Sequence, residues 1–302
     1  MSPVVLGDLS AVGAAFCWAV APILYRQALF KAKPVSANIV RLATNAVVLV
    51  VMLLALGKWG ALASLPLTVI AIVVISGIVG LGIGDTFYLL GLKSVGVSVA
   101  VPLAATYPLF SLVWAILLGQ PLTATAVVGA VVIIVGIWLL SRGKTEGPAL
   151  TKGKLALTGV AVSLAAALAW SVSMTMMDAA VLMPGVNGLD ANFAIVTFRI
   201  AAMAIFMLML APLLDPTRGF LRLKRKTVIQ LCVGGLVANA LGWVLMNYSF
   251  LNTLAAQAVP ISSMTPLFSA FAGFLLFKEK ATVKRVLGAL VVVAGVVLIF
   301  LV

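Results

Sequence analysis

The sequence predicts an all-α integral membrane protein, with ten transmembrane helices folded as two inverted five-helix repeats around a central cavity. Three observations lead there. First, 64% of the 302 residues are hydrophobic and 9% are charged, where soluble domains carry about 25% charged residues. Second, apolar runs fall near 8–30, 36–57, 67–92, 97–118 and 124–141, then near 155–179, 191–213, 227–251, 256–277 and 282–302. Each is close to the roughly 20 residues that cross a hydrocarbon core of about 30 Å. Third, the two groups of five runs align with one another.

The alignment is residue by residue. With an offset of 158, Arg41 meets Arg199 and Gly84 meets Gly242. The same offset superposes residues 100–111 (Ala-Val-Pro-Leu-Ala-Ala-Thr-Tyr-Pro-Leu-Phe-Ser) on residues 258–269 (Ala-Val-Pro-Ile-Ser-Ser-Met-Thr-Pro-Leu-Phe-Ser), with seven of twelve positions identical. At 159, Gly129 and Gly136 meet Gly288 and Gly295, and at 152 Trp18 meets Trp170. The expected units are a first repeat over 1–142, a linker over 143–154 holding Gly147 and Pro148 among charges, and a second repeat over 155–302. An odd number of helices per repeat turns the second copy upside down. The charges agree: seventeen Lys and Arg fall in or beside the connections after spans 1, 3, 5, 7 and 9, against Lys58 alone on the opposite side. The positive side is expected to be cytoplasmic, with both termini outside, as in a prokaryotic inner-membrane protein.

The first span lacks the positive stretch of a cleavable signal, Asp8 being the only charge ahead of it, so it is read as a retained helix. Trp18 sits mid-helix, away from the interfacial belt that tryptophan usually occupies, as does Trp170 in the sixth span. Both are expected to wall the cavity. Arg41 and Arg199 lie one to two turns inside the second and seventh spans. From there an arginine can snorkel to the interface, so both are assigned structural or lipid-facing roles. Asp85 is the one acidic residue well inside a span of the first half. A buried carboxylate must be paired, solvated or protonated. It is therefore a candidate for proton or cation coupling, and equally for a structural pair with Arg41. Tyr88, one turn on, shares its face.

The two aligned stretches place prolines six residues apart inside helices. Pro108 and Pro266 each delete a backbone N–H and displace the carbonyl four residues earlier, which marks both as helix breaks. In membranes such breaks persist where protein or a water-filled cavity satisfies the freed groups, and paired broken helices in two halves point to a transporter binding site. Tyr107 on the fourth helix and Ser262 and Thr265 on the ninth are the expected lining, with close packing by small residues as the alternative. On the eighth helix Asn239, Trp243 and Asn247 form an i, i+4, i+8 stripe assigned to the cavity. Trp243 stands where the first half has Asp85. Gly129, Gly136, Gly288 and Gly295 mark close backbone approach, either of helices five and ten or of a second protomer; monomer and homodimer stay open.

These features resemble the drug/metabolite transporter superfamily in its ten-helix EamA-type branch, along the whole chain. The tryptophans of each first helix carry the resemblance, with the early arginines of each second helix and the Pro-Leu-Phe-Ser segments. The family's acidic residue between fourth and fifth helices is matched by Glu279, while the first half departs with Gln120. The resemblance implies a carrier of small metabolites, such as amino acids, nucleotide-sugars or sugar phosphates, in a central cavity.

The charge of +13 is accounted for by topology, and no nucleic-acid partner is expected. Histidine is absent, Cys17 and Cys232 fall within spans, and no phosphate loop, metal-spaced set or catalytic constellation appears. No cofactor or metal is expected, and the partners are a small-molecule substrate and the bilayer. The expected function is a secondary transporter exporting amino acids or similar metabolites by alternating access. The alternatives are a nucleotide-sugar or sugar-phosphate exchanger and a non-transporting scaffold or accessory subunit.

Overall fold

In a computed structural model, the described residues are 2–119, 123–141, 154–186, 188–268, 271 and 283–300. Gln120, Ser269, Glu279 and residues 143–153 of the linker lie outside them. The first half contains α1 (Pro3–Leu29), α2 (Pro34–Ala55), α3 (Leu67–Val95), α4 (Val97–Ala104 and Tyr107–Leu117) and α5 (Ala124–Ser141). The second contains α6 (Lys154–Val181), α7 (Gly188–Met209), α8 (Arg225–Asn252), α9 (Ala255–Ser262, helical again at 265–268) and α10 (Val283–Phe300). Among the described residues, seven of these helices are long and apolar enough to cross a membrane, and α5 and α10 hold shorter apolar stretches.

The halves interleave, and their largest contacts come in symmetric pairs. Helix α1 packs on α8 and α9, as α6 packs on α3 and α4, while α2 meets α7 and α5 meets α10 across the pseudo-two-fold axis. Contacts between connections sort the two faces. On the basic face Lys33 Nζ donates to Thr217 Oγ1 (3.3 Å) and Lys93 Nζ to the Ala32 carbonyl (3.1 Å). On the other face Lys58 pairs with Asp190 (2.6 Å), and Gln257 Nε2 donates to Asp8 Oδ2 (3.0 Å).

Two interruptions shape the centre. Helix α4 unwinds at 105–106 and α9 at 263–264, a short step ahead of Pro108 and Pro266. Pro108 itself falls in the first turn of the restarted helix, where a missing N–H leaves no bond unmade. Hydroxyls take up carbonyls nearby: Thr106 donates to Leu103 O (2.7 Å), Ser263 to Pro260 O (2.7 Å) and Thr265 to Ser262 O (3.2 Å). The second interruption was not expected from the sequence. Helix α3 is π-helical over Ile78–Gly84 and α8 over Leu236–Gly242, positions related by the same offset of 158.

On the basic face, Asp215 anchors the connection after α7 to the start of α2. Burial pushes its carboxyl up, but bonds from Ser36 Oγ (2.7 Å), Phe220 N (3.0 Å) and Thr217 Oγ1 (3.0 Å) outweigh that and hold it below the usual carboxylate range. A carboxylate held low in the folded state stabilises above its unfolded pKa of about 3.9 and loses that contribution as pH falls through the folded value. Asp215→Asn is therefore expected to cost about 1–3 kcal/mol at pH 7. The difference from wild type should shrink below about pH 4, as read by thermal unfolding in detergent across pH.

Candidate functional site: a central cavity

A cavity enclosing about 680 Å³ of space between atoms, its mouth included, lies at the centre of the bundle. Helices α1, α3, α4, α6, α8 and α9 line it, joined by Arg41 of α2. Helix directions place it in the half of the bundle nearer the basic connections, and the two interrupted segments explain its shape. A π-turn widens the helix and leaves carbonyls out of register, and side chains of other helices fill in. Asn38 Nδ2 donates to Leu81 O (2.9 Å), and Trp18 Nε1 donates to Ala238 O (3.0 Å). Glycine lets the indoles lie this close. A Cβ on Gly84 would stand 2.8 Å from Trp170, and one on Gly242 would stand 2.6 Å from Trp18.

The two halves meet this geometry with different chemistry. In the first, Arg41 Nη2 donates to Asp85 Oδ2 (2.5 Å) and to Asn38 Oδ1 (2.7 Å), while Trp170 Nε1 donates to Asp85 Oδ1 (2.8 Å). Asp85 is thus fixed by an arginine of its own half and a tryptophan of the other. In the second half the position of Asp85 is taken by Trp243, whose ring lies 3.9 Å from the Arg199 guanidinium carbon. Arg199 Nη2 donates to Ser173 Oγ (2.5 Å) and to Ser76 O (3.3 Å), and its Nε and Nη1 have no hydrogen-bond partner among the described residues. A desolvated cation–π contact contributes about 2 kcal/mol, less than the several kcal/mol needed to bury an ion.

Trp18, Asp85, Tyr88, Tyr107, Trp170, Asn239, Trp243 and Thr265 all line the cavity. Tyr88 and Trp170 pack with their rings tilted at 54° and centroids 4.8 Å apart, and Trp18 meets Trp243 edge-on at 5.9 Å. Asn247 and Ser262 do not line it. Each lies about one turn further from the basic face than the lining residue on its own helix, Trp243 or Thr265. Ser262 closes the cavity floor through a 2.7 Å bond to the Tyr107 hydroxyl. The lipid-facing alternative for the arginines does not hold, since Arg41 and Arg199 are 2% and 1% exposed. The ion pair keeps one inside, and Trp243 with Ser173 keeps the other. Arg41 lines the cavity as well, and so does Tyr25, which follows Trp18 by seven residues and Pro22 by three on one face of α1. That spacing was readable. The exposure of Gly80 and Leu81 was not, because it comes from the π-turn. The four glycines of α5 and α10 face one another: a Cβ on Gly136 would stand 2.9 Å from Gly288 O, and one on Gly295 would stand 2.9 Å from Gly129 O.

A cavity lined from both repeats, with broken helices at its wall, is the architecture of a carrier. Comparison with known proteins gives the same answer, with matches to one family over residues 5–142 and 157–301. The chain belongs to the EamA-like transporter family. It is similar, at 24% identity over 294 residues, to an uncharacterized transporter of Archaeoglobus fulgidus, with 97% of each chain covered. A crystal structure described only as that of a protein shares the fold, with a TM-score of 0.73 at 19% identity over 98% of this chain and 96% of the other. As an EamA-like protein the chain is an integral membrane transporter and not an enzyme.

Proposed function

We propose that the protein is a secondary carrier that exports amino acids or similar small metabolites from the cytoplasm across a prokaryotic inner membrane, by alternating access of its two inverted units. The observation that carries this reading is the central cavity, walled by indole and phenol rings from both halves and floored by the Tyr107–Ser262 bond between the two broken helices. Its place in the half with the basic connections suits loading from the cytoplasm. Among its lining residues the Arg41 and Asp85 charges cancel, which favours zwitterionic or neutral cargo over sugar phosphates and nucleotide-sugars, whose phosphates call for unpaired cations. A scaffold has no use for such a cavity.

Counterflow in proteoliposomes tests this, because it needs no assumed coupling ion. Vesicles are preloaded with unlabelled amino acids, sugars or phosphorylated metabolites, and entry of labelled tracer is followed. Tracer accumulation with amino acids is expected. It should fall about tenfold or more in Tyr107→Ala, which removes a cavity ring and the hydrogen bond of the floor. Accumulation only with phosphorylated compounds would overturn the cargo class, and silence across the panel with folded protein would return the scaffold reading.

A further inference from the structure

The inverted halves treat their matched arginines unequally. Arg41 has a carboxylate at 2.5 Å and opens onto the cavity. Arg199 is equally buried, yet among the described residues the ion pairs are Arg41–Asp85 and Lys58–Asp190. Among the described residues the direct contacts of the Arg199 guanidinium are the face of Trp243 and two neutral oxygens, and Asp85, bonded to Arg41, acts on its charge only from a distance. Its Nε and Nη1 stay unmatched, as do Nδ2 of Asn239 and both amide atoms of Asn247, one turn to either side of Trp243 on α8. Unmet polar atoms, most of them donors, therefore gather along one strip.

Asn239 and Trp243 line the cavity themselves, and only a thin partition separates Arg199 from it. Gly80 and Trp243 line the cavity on one side, and on the other a Cβ added to Gly80 would stand 2.9 Å from Arg199 Nη2 while the Trp243 ring stacks on the guanidinium. The partition is π-helical backbone without a side chain, plus one indole. In an inverted-repeat carrier, the unit that is closed in one state opens in the other. Arg199 would then meet the cavity as Arg41 does here.

We propose that Arg199 is the subsite for a carboxylate of the transported molecule, which supplies the counter-charge that Asp85 supplies to Arg41. This rests on the carrier reading above. A fixed guanidinium binds a carboxylate through charge-assisted N–H bonds, and Nε and Nη1 are the Arg199 nitrogens without an acceptor among the described residues. A single guanidinium with no carboxylate in direct contact fits a monoanionic group better than a phosphate dianion. Ser173 and Ser76 then act as positioning residues that hold the remaining nitrogen.

The test uses isosteric probes on the purified full-length protein. Benzoate and benzamide share a ring that fits the aromatic walls and differ in the charge on the group presented. Protection against thermal unfolding is titrated with each, and with phenyl phosphate. In wild type, benzoate is expected to protect at concentrations about tenfold or more below benzamide, the size of a charge-assisted hydrogen bond. Arg199→Lys, which keeps the cation but loses the fork, should narrow the ratio, and Arg199→Gln should bring it to parity. Equal protection by benzoate and benzamide in wild type would overturn the proposal whether or not the variants fold. Stronger protection by phenyl phosphate would overturn the carboxylate assignment. An undiminished ratio in Arg199→Lys and Arg199→Gln would place the anion elsewhere. Counterflow keeps the two readings apart: tracer accumulation without benzoate preference removes this subsite only, and silence across the panel removes the carrier itself.

Discussion

Replacing Asp85 with leucine is expected to destabilise the protein by about 3–5 kcal/mol, because it leaves a buried guanidinium without its carboxylate. Arg41 is 2% exposed, so it cannot regain solvent without the top of α2 moving. Its remaining partners are Asn38 Oδ1 at 2.7 Å and the Tyr25 hydroxyl at 3.4 Å, both neutral. The Trp170 N–H loses its acceptor at the same time. The double variant Arg41→Met with Asp85→Leu removes both charges and should recover most of the loss, as apolar replacement of buried ion pairs often does. Unfolding temperature of the four proteins gives the coupling energy directly. A double variant no more stable than Asp85→Leu alone would show that the pair is not what holds α2 to α3. The prediction is directional as well: Arg199→Met, which removes an unpaired cation, should cost less than Asp85→Leu.

The ion pair itself was readable because the sequence offers so few choices. Asp85 is alone among acids in the middle of its half, and Arg41 is the nearest buried cation by span order. The pairing of Arg199 was not readable. Its counterpart to Asp85 is Trp243, and an indole in a membrane helix reads as wall or anchor before it reads as the seat of a guanidinium. The expected stripe of Asn239, Trp243 and Asn247 failed at its last member for a geometric reason, namely that the cavity ends about one turn short of Asn247. The π-turns were hidden for a deeper one. Ile78–Gly84 and Leu236–Gly242 are apolar and glycine-bearing, and such a stretch is equally acceptable as ordinary helix. What selects the wider turn is outside it: the Asn38 amide on Leu81 O and the Trp18 indole on Ala238 O, contacts 43 and 220 residues away along the chain. Periodicity within a window carries no information about either. The repeat does carry some, since both interruptions fall where the offset of 158 superposes the halves, and a feature found in one copy predicts its place in the other.

Gly136→Val is expected to cost about 3 kcal/mol or more, the upper range for overpacking a close-packed site. The added Cβ would stand 2.6 Å from the Val292 backbone nitrogen and 2.9 Å from Gly288 O. Neither neighbour is a side-chain tip that can swing away, so α5 and α10 must part along their length. Gly295 makes the symmetric contact, with Ile133 N at 2.8 Å and Gly129 O at 2.9 Å, and Gly295→Val should cost a similar amount. The double variant should cost less than the sum, because helices already forced apart by the first side chain have room for the second. Thermal unfolding and the yield of folded protein would read this. A fully additive double would mean that the two contacts yield independently and that the helices bend rather than separate. The same geometry bears on assembly. A glycine face that brings α5 and α10 backbones together inside one protomer is no longer free to join two protomers, so any dimer must form on another surface. A valine at Gly136 that dissociates an oligomer while leaving the protomer's unfolding temperature unchanged would contradict both statements at once.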